Sequence, residues 1–244
     1  MIAIDIGNSR LKWAVSENSR WTTQGALPLA QVGELAEAIK RWPPNVQVVA
    51  CNVAGEAVEA AVTKMLREAA YSPVWLRSAH EACGVRNTYE DPARLGGDRW
   101  AALIGARASM HGDCLVVCAG TATTINFLDA AGVFRGGVIL PGVEMMLASL
   151  AERTAQLPLA SGVFRAEPRN TMDAIVTGCL HAQVGAIERM FAANCASAQA
   201  VCLLTGGGAT ALAPLLRIPS RVEENLILDG LKCYADGLVR EQVH

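Results

Sequence analysis

Two short glycine turns carry the residue types that can hold a phosphate group. The first is Asp5-Ile6-Gly7-Asn8-Ser9, followed closely by Arg10, Leu11 and Lys12; the second is Ala119-Gly120-Thr121. Glycine lets backbone N–H groups approach an anion with no side chain in between. The side chains of Asn8, Ser9 and Thr121 add further donors. A strand returning from the first turn would bring the Lys12 ammonium back toward it. A third glycine run, Thr205-Gly206-Gly207-Gly208, lies near the end of the chain. Either of the first two turns alone reads equally well as an ordinary tight turn. Their co-occurrence with the third favours anion binding.

The elements needed to position these turns alternate between strand and helix. Ile2–Ile6 reads as a buried strand, with Leu11–Val15 and Arg20–Leu27 continuing a meander around a turn at Asn18-Ser19. Helical periodicity covers Leu29–Arg41 up to Pro43-Pro44, then Glu56–Ala70 and Asp98–Met110. Ser78–Gly97 has little periodicity and reads as a loop. Leu115–Cys118 is an apolar strand, and Thr123–Leu128 with Val133–Ile139 forms a hairpin. Helices are expected from Pro141, from Asn170-Thr171 to about Asn194, and over Leu226–Arg240. Gly178, Ala182, Gly185 and Ala186 lay small residues along the long helix and permit close helix packing, within one chain or between subunits.

The strand–glycine-turn unit repeats. Ile4-Asp5-Ile6-Gly7-Asn8 and Val117-Cys118-Ala119-Gly120-Thr121 align at an offset of 113 residues, Asp5 on Cys118 and Gly7 on Gly120. This repeat predicts an α/β protein of two similar lobes, residues 1–112 and 113–244, facing each other across a central cleft.

Composition narrows the function. The chain of 244 residues is 52% hydrophobic, enough for large cores, and its formal net charge of -2 lacks the basic excess of a nucleic-acid binder. The sequence shows no secretory leader and no apolar run long enough to span a membrane, so a soluble, intracellular, cytoplasmic protein is expected. The eight cysteines contain no CxxC pair and several sit inside apolar runs, which points to buried free thiols and away from a metal site.

Together these segments resemble the type III pantothenate kinases, of the acetate kinase/sugar kinase/Hsp70/actin superfamily. The resemblance runs through nearly the whole chain: Asp5 to Lys12; Tyr89 through Gly96-Gly97-Asp98-Arg99-Trp100; Ala119 to Thr124; Gly136-Gly137-Val138-Ile139-Leu140-Pro141-Gly142; Asn170-Thr171 with Ala174-Ile175 and Gly178; and Thr205-Gly206-Gly207. It implies two duplicated ribonuclease H-like (actin-like ATPase) lobes, a homodimer, and ATP-dependent phosphorylation of pantothenate to 4'-phosphopantothenate, the first step of coenzyme A synthesis, with Mg²⁺ accompanying the nucleotide.

The resemblance also implies residue roles. Asp5, Ile6, Gly7, Asn8, Ser9, Arg10, Leu11, Lys12 and Thr121 would contact ATP, and Asp5 would organise Mg²⁺ through water. Tyr89, Gly96, Gly97, Asp98, Arg99 and Thr171 would bind pantothenate, with Asp98 as catalytic base. Arg99 can alternatively be a structural ion-pair partner, Tyr89 a packed loop aromatic, and Thr171 a helix cap. A kinase for another hydroxylated substrate, or a non-catalytic ATP-binding regulator of the same fold, are the alternative functions.

One departure stands out. The family carries an aspartate two residues before the second-lobe glycine, where it binds K⁺ or NH₄⁺; here that position is Cys118, and a further acidic position is Asn126. A neutral thiol is a poor ligand for a hard cation. Weak dependence on a monovalent cation, or none, is therefore expected.

Overall fold

The computed structural model describes residues 1–154, 157 and 159–241. In chain order the strands and α-helices are β1 (Ile2–Ile6), β2 (Arg10–Glu17), β3 (Arg20–Pro28), α1 (Leu35–Ile39), β4 (Val48–Asn52), α2 (Glu56–Glu68), β5 (Pro73–Trp75), β6 (Glu81–Ala82), β7 (Val85–Asn87), α3 (Gly97–Ser109), β8 (Cys114–Ala119), β9 (Ala122–Leu128), β10 (Val133–Pro141), α4 (Val143–Arg153), α5 (Thr171–Asn194), β11 (Val201–Thr205), α6 (Ala209–Leu212), β12 (Ser220–Val222) and α7 (Leu226–Glu241). The residues divide into two compact units. The first holds Met1–His111, Gly132–Phe134 and the stretch from Asn225 that includes α7; the second holds Gly112–Ala131 and Arg135–Glu224.

In the first unit a five-stranded sheet runs β3-β2-β1-β4-β5, with β1 antiparallel to β2 and parallel to β4. The β2–β3 hairpin turns at Asn18-Ser19, both at positive φ (49° and 63°), the backbone that matches the twist of a two-residue hairpin. Strand alternation then sorts the faces. Ile2, Ile4 and Ile6 pack in one apolar cluster with Leu35 and Ile39 of α1 and Val62 and Leu66 of α2. The intervening residues Ala3 and Asp5 therefore face the other way, where α3 and α7 pack on β1 and β4. Burying a side chain such as Leu66 contributes about 1.5–3 kcal/mol, so this division of faces is strongly held. It leaves the Asp5 carboxyl on the side covered by α3.

Helix α7 belongs with this unit, whereas the sequence reading puts residues 225–244 in the second lobe. The reason is a backbone-to-backbone contact. A Cβ on Gly105 of α3 would lie 2.2 Å from the Leu226 carbonyl oxygen, and one on Gly230 of α7 would lie 1.8 Å from the Ala101 carbonyl oxygen. Only glycine lets the two helices cross this closely. On α5, by contrast, nothing among the described residues lies over Gly178 or Gly185.

The other sheet has seven strands in the order β12-β11-β8-β9-β10-β7-β6, and its stretch β10-β9-β8-β11-β12 repeats the plan. Strand β8 is antiparallel to β9 and parallel to β11. The correspondence reaches single residues: Asp5 lies opposite Lys12 on β2 and Cys51 on β4, and Cys118 lies opposite Thr124 on β9 and Thr205 on β11. Leu180, Val184, Ile187 and Phe191 of α5, at helical spacing, pack on Leu115, Val117, Cys202 and Leu204 of the sheet.

Two local expectations fail. Leu29–Glu34 is 3₁₀ rather than α-helix, with Gln31 outside helical geometry (φ -108°, ψ 22°), so α1 is only one short turn longer than a nucleus. The stretch expected as loop, 78–97, contains the β6–β7 hairpin and a 3₁₀ turn at Pro92–Arg94 capped by Asp91. Strands of two and three residues are too short to show periodicity. No helix among the described residues is long and apolar enough to cross a membrane, and none of the eight cysteines forms a disulfide.

Candidate active site

The first unit gathers two carboxylates at the end of its sheet. Asp5, on β1, is buried, and the Sγ of Cys51 on the neighbouring β4 donates to its Oδ1 at 3.5 Å. Asp98 stands in the first turn of α3, where helix N-terminal geometry favours an anion. Its Oδ1 accepts the backbone N–H of Arg99 at 2.7 Å. Burial pushes the Asp5 carboxyl up to about 6; the charge of Asp98 adds to this, while the Cys51 thiol and Lys12 act against it. Burial also raises Asp98, opposed by the Arg99 amide and guanidinium. Lys12, half-buried, faces Asp5 across the β1–β2 ladder, so both side chains lie on one face of the sheet.

The two glycines before Asp98 differ. A Cβ on Gly96 would come within 2.8 Å of the Asp98 carboxylate, whereas one on Gly97 would sit in ordinary contact with Cys51 Cβ at 3.5 Å and the Leu76 carbonyl at 3.6 Å. Gly96 thus keeps room for the carboxylate. Arg99 is 4% exposed. Its Nη1 donates to the Tyr89 hydroxyl at 2.7 Å, and its guanidinium lies over the rings of Tyr89 and Phe134 at 5.5 and 5.8 Å. The aromatic pair fixes the plane of the guanidinium, and Tyr89 does more than pack in a loop.

The other residues of the first turn divide by burial. Ile6 and Leu11 are fully buried core residues, so only their backbone can serve a ligand. Asn8, Ser9 and Arg10 are exposed. The amide of Gly7 donates to the Arg10 carbonyl at 2.9 Å, and that of Gly120 to the Ala122 carbonyl at 3.1 Å. These two amides, expected from sequence to face phosphate, instead close their own turns.

In the second unit three glycine segments converge. The amide of Gly142 donates to the Thr121 carbonyl at 2.9 Å, and the amide of Gly208 to the Ala119 carbonyl at 3.0 Å. A Cβ on Gly142 would sit 2.1 Å from the Gly120 carbonyl oxygen, and one on Gly206, at φ +94°, 2.4 Å from that of Ala119. The motifs GTATT, GGVILPG and TGGG are therefore one packed cluster. Thr171 is exposed in the first turn of α5 and does not cap it: Asn170 accepts the Asp173 amide at 2.9 Å and donates back to the Asp173 carboxylate. Cys118 is half-buried, and the buried Asn126 amide donates to the Val116 carbonyl and to Thr124 Oγ1, both at 3.3 Å.

Sequence reading marked Gly142 and Gly206 within their motifs but missed Cys51 as the neighbour of Asp5. Nothing local marks Cys51, because only the parallel pairing of β1 with β4 sets it beside Asp5. A cavity of about 600 Å³ lies along α2 between Glu56, Glu59, Lys64 and Arg67, and shares no residue with either cluster.

Two units of one strand order, each ending in a glycine turn, define the actin-like ATPase and sugar kinase fold. The chain superposes with a TM-score of 0.67 on a Baf family protein from Campylobacter jejuni, at 22% identity over 98% of this chain and 100% of that one. It superposes at 0.57 on the activator of 2-hydroxyisocaproyl-CoA dehydratase from Clostridium difficile, solved with bound ADPNP, at 10% identity over 100% of this chain and 97% of that one. At these identities the likeness shows the fold alone. Sequence is more specific. The type III pantothenate kinase family model matches residues 1–193. The type III pantothenate kinase of Aromatoleum aromaticum is 49% identical over 96% of this chain and 97% of its own length, and that of Dechloromonas aromatica 46% identical over 95% and 97%. The chain belongs to the type III pantothenate kinase family.

Proposed function

We propose that this protein transfers the γ-phosphoryl group of ATP to the hydroxyl of pantothenate, yielding 4'-phosphopantothenate for coenzyme A synthesis. The observation that carries the mechanism is the pairing of Asp5 and Asp98 at the end of the first sheet, two acids raised by burial and held by different elements. Phosphoryl transfer needs mainly positioning and charge stabilisation. Asp98, raised toward the range of a useful base, accepts the proton of the pantothenate hydroxyl as its oxygen bonds to phosphorus. Arg99, oriented by Tyr89, receives the pantothenate carboxylate, a planar anion suited to a fixed guanidinium. Gly96 and Gly97 shape the same pocket, and Thr171 supplies a hydroxyl to pantothenate.

The segment from Asp5 to Lys12, with Thr121, contacts ATP, and the Lys12 ammonium neutralises phosphate charge. Among the described residues no three metal-ligating side chains cluster. That fits Mg²⁺, which keeps much of its water and takes phosphate oxygens rather than an all-protein cage. Asp5 would hold it through water; bound there, the ion would draw off charge developing on the phosphate oxygens. Retention of a cytoplasmic enzyme is consistent with eight free thiols. The exposed small residues Gly178, Ala182 and Gly185 on α5 support a homodimer.

The test is ADP formation with and without pantothenate, using the Asp98→Asn variant as control. Pantothenate-dependent ADP release that disappears in the variant supports the proposal. ATP hydrolysis indifferent to pantothenate, or preference for a sugar, overturns it.

A further inference from the structure

Six of the eight cysteines lie on strands β4, β8 and β11 or on α5 and its C-terminal cap, and the burial of Cys51, Cys179, Cys195 and Cys202 raises their thiols, the last two to about 11 and about 12. Cys83 and Cys233 differ. Cys83 and Gly84 form the two-residue turn between β6 and β7, at φ 50° and 72°. Such a turn favours Asn or Gly at its first position; a cysteine there is strained and unexplained by the turn itself. Cys233 lies on α7, one helical turn before Gly237. A Cβ built on Gly237 would be 3.6 Å from Cys83 Sγ, so the sulfur of the hairpin sits against the face of α7 that carries Cys233. The two thiols share a side-chain hydrogen bond, and both are only partly buried.

We propose that Cys83 and Cys233 are a peroxide-responsive thiol pair that closes reversibly to an intrachain disulfide between the β6–β7 turn and α7. Their chemistry suits this. The hydrogen bond from Cys83, with help from Arg240, lowers the Cys233 thiol to about 7 against the opposing effects of burial and Asp236. A sizeable fraction of Cys233 is then thiolate near neutral pH, the nucleophilic form. The Cys233 thiolate attacks one oxygen of hydrogen peroxide and breaks the O–O bond. Sulfur becomes a sulfenic acid, and the leaving hydroxide takes a proton to become water. The Cys83 sulfur then attacks the sulfenic sulfur, its proton leaving with the expelled hydroxide as a second water. In sum, two thiols and one peroxide give one disulfide and two waters. Thiol–disulfide exchange with a dithiol reductant restores the pair.

The position gives the bond a consequence. Two residues beyond β7, Tyr89 holds Arg99, and α7 crosses α3, the helix that carries Asp98 and Arg99. A disulfide would tie the strap leading to Tyr89 onto the helix that braces α3.

The full-length protein, reduced and then treated with stoichiometric hydrogen peroxide, is alkylated and digested without reductant for mass spectrometry. The expected product is a Cys83–Cys233 linked peptide, lighter by two hydrogens than the two free peptides and removed by dithiothreitol. In Cys83→Ser the link disappears and Cys233 is trapped as a dimedone adduct. Oxidation of the wild-type protein should raise its Tm; in both Cys83→Ser and Cys233→Ser that rise is absent, and pantothenate-dependent activity under reducing conditions is unchanged. Cys233 that stays unmodified in oxidised wild-type protein overturns the proposal. So does its linkage to any other cysteine or to a second chain on a non-reducing gel.

Discussion

Replacing Asp5 by Asn should stabilise the nucleotide-free protein while destroying its activity. The Asp5 carboxyl is moved from an ordinary 3.8 to about 6 by burial and by Asp98. The native state therefore binds this proton more tightly than the unfolded chain does. The contribution of this one group to stability is greatest below about pH 4, falls as the pH rises through the interval up to about 6, and stays lowered above it. At ~1.4 kcal/mol for each pH unit, the charged form costs the fold about 3 kcal/mol at neutral pH. Asn resembles the protonated acid in shape and charge, so Asp5→Asn should recover a gain of that order at about pH 7.5, shrinking toward zero near about pH 4. Urea unfolding of wild type and variant, without nucleotide, at both pH values measures it. A variant no more stable than wild type at neutral pH, or a gain of equal size at both, refutes the reasoning. Under the proposed role of Asp5 toward Mg²⁺ and ATP, this cost is a trade of stability for function.

Four further outcomes follow from the geometry. Asp98→Asn removes a second carboxylate raised by burial, so its urea midpoint at neutral pH should be no lower than wild type, while turnover falls at least ~100-fold, read by ADP release. Arg99→Lys loses the fixed fork over Tyr89 and should raise KM for pantothenate by roughly 10–100-fold, the equivalent of one charged hydrogen bond, with KM for ATP little changed. Gly230→Ala forces a methyl onto the Ala101 carbonyl and should cost about 1–3 kcal/mol in urea unfolding by separating α3 from α7. With Cys118 in place of an acid, turnover in sodium, potassium and ammonium salts at matched ionic strength should agree closely; a strong requirement for potassium or ammonium would contradict the reading of Cys118 and Asn126.

Much of this protein is legible in the chain itself because its signals are local or repeated. The apolar run Ile2–Ile6 marks a buried strand, Asn18-Ser19 marks a hairpin, and the 113-residue offset of Asp5 to Cys118 marks a duplication that the strand orders reproduce. Of the chemistry-bearing residues, Asp5 is visible from its glycine turn, while Asp98, Arg99 and Tyr89 are marked by the resemblance to the family. What the sequence could not decide depends on contacts between distant segments. Gly7 and Gly120 look like phosphate donors until the turns consume their amides. Cys51 becomes the partner of Asp5 only through parallel pairing, and Tyr89 orients Arg99 only because a hairpin too short for periodicity returns it to α3. Helix α7 joins the first unit because Gly105 and Gly230, far apart in the chain, remove the two side chains that would keep the helices separate. Local pattern sets which segments are strand or helix; the burial that raises Asp5 and Asp98 exists only once β1, β4 and α3 have closed around them.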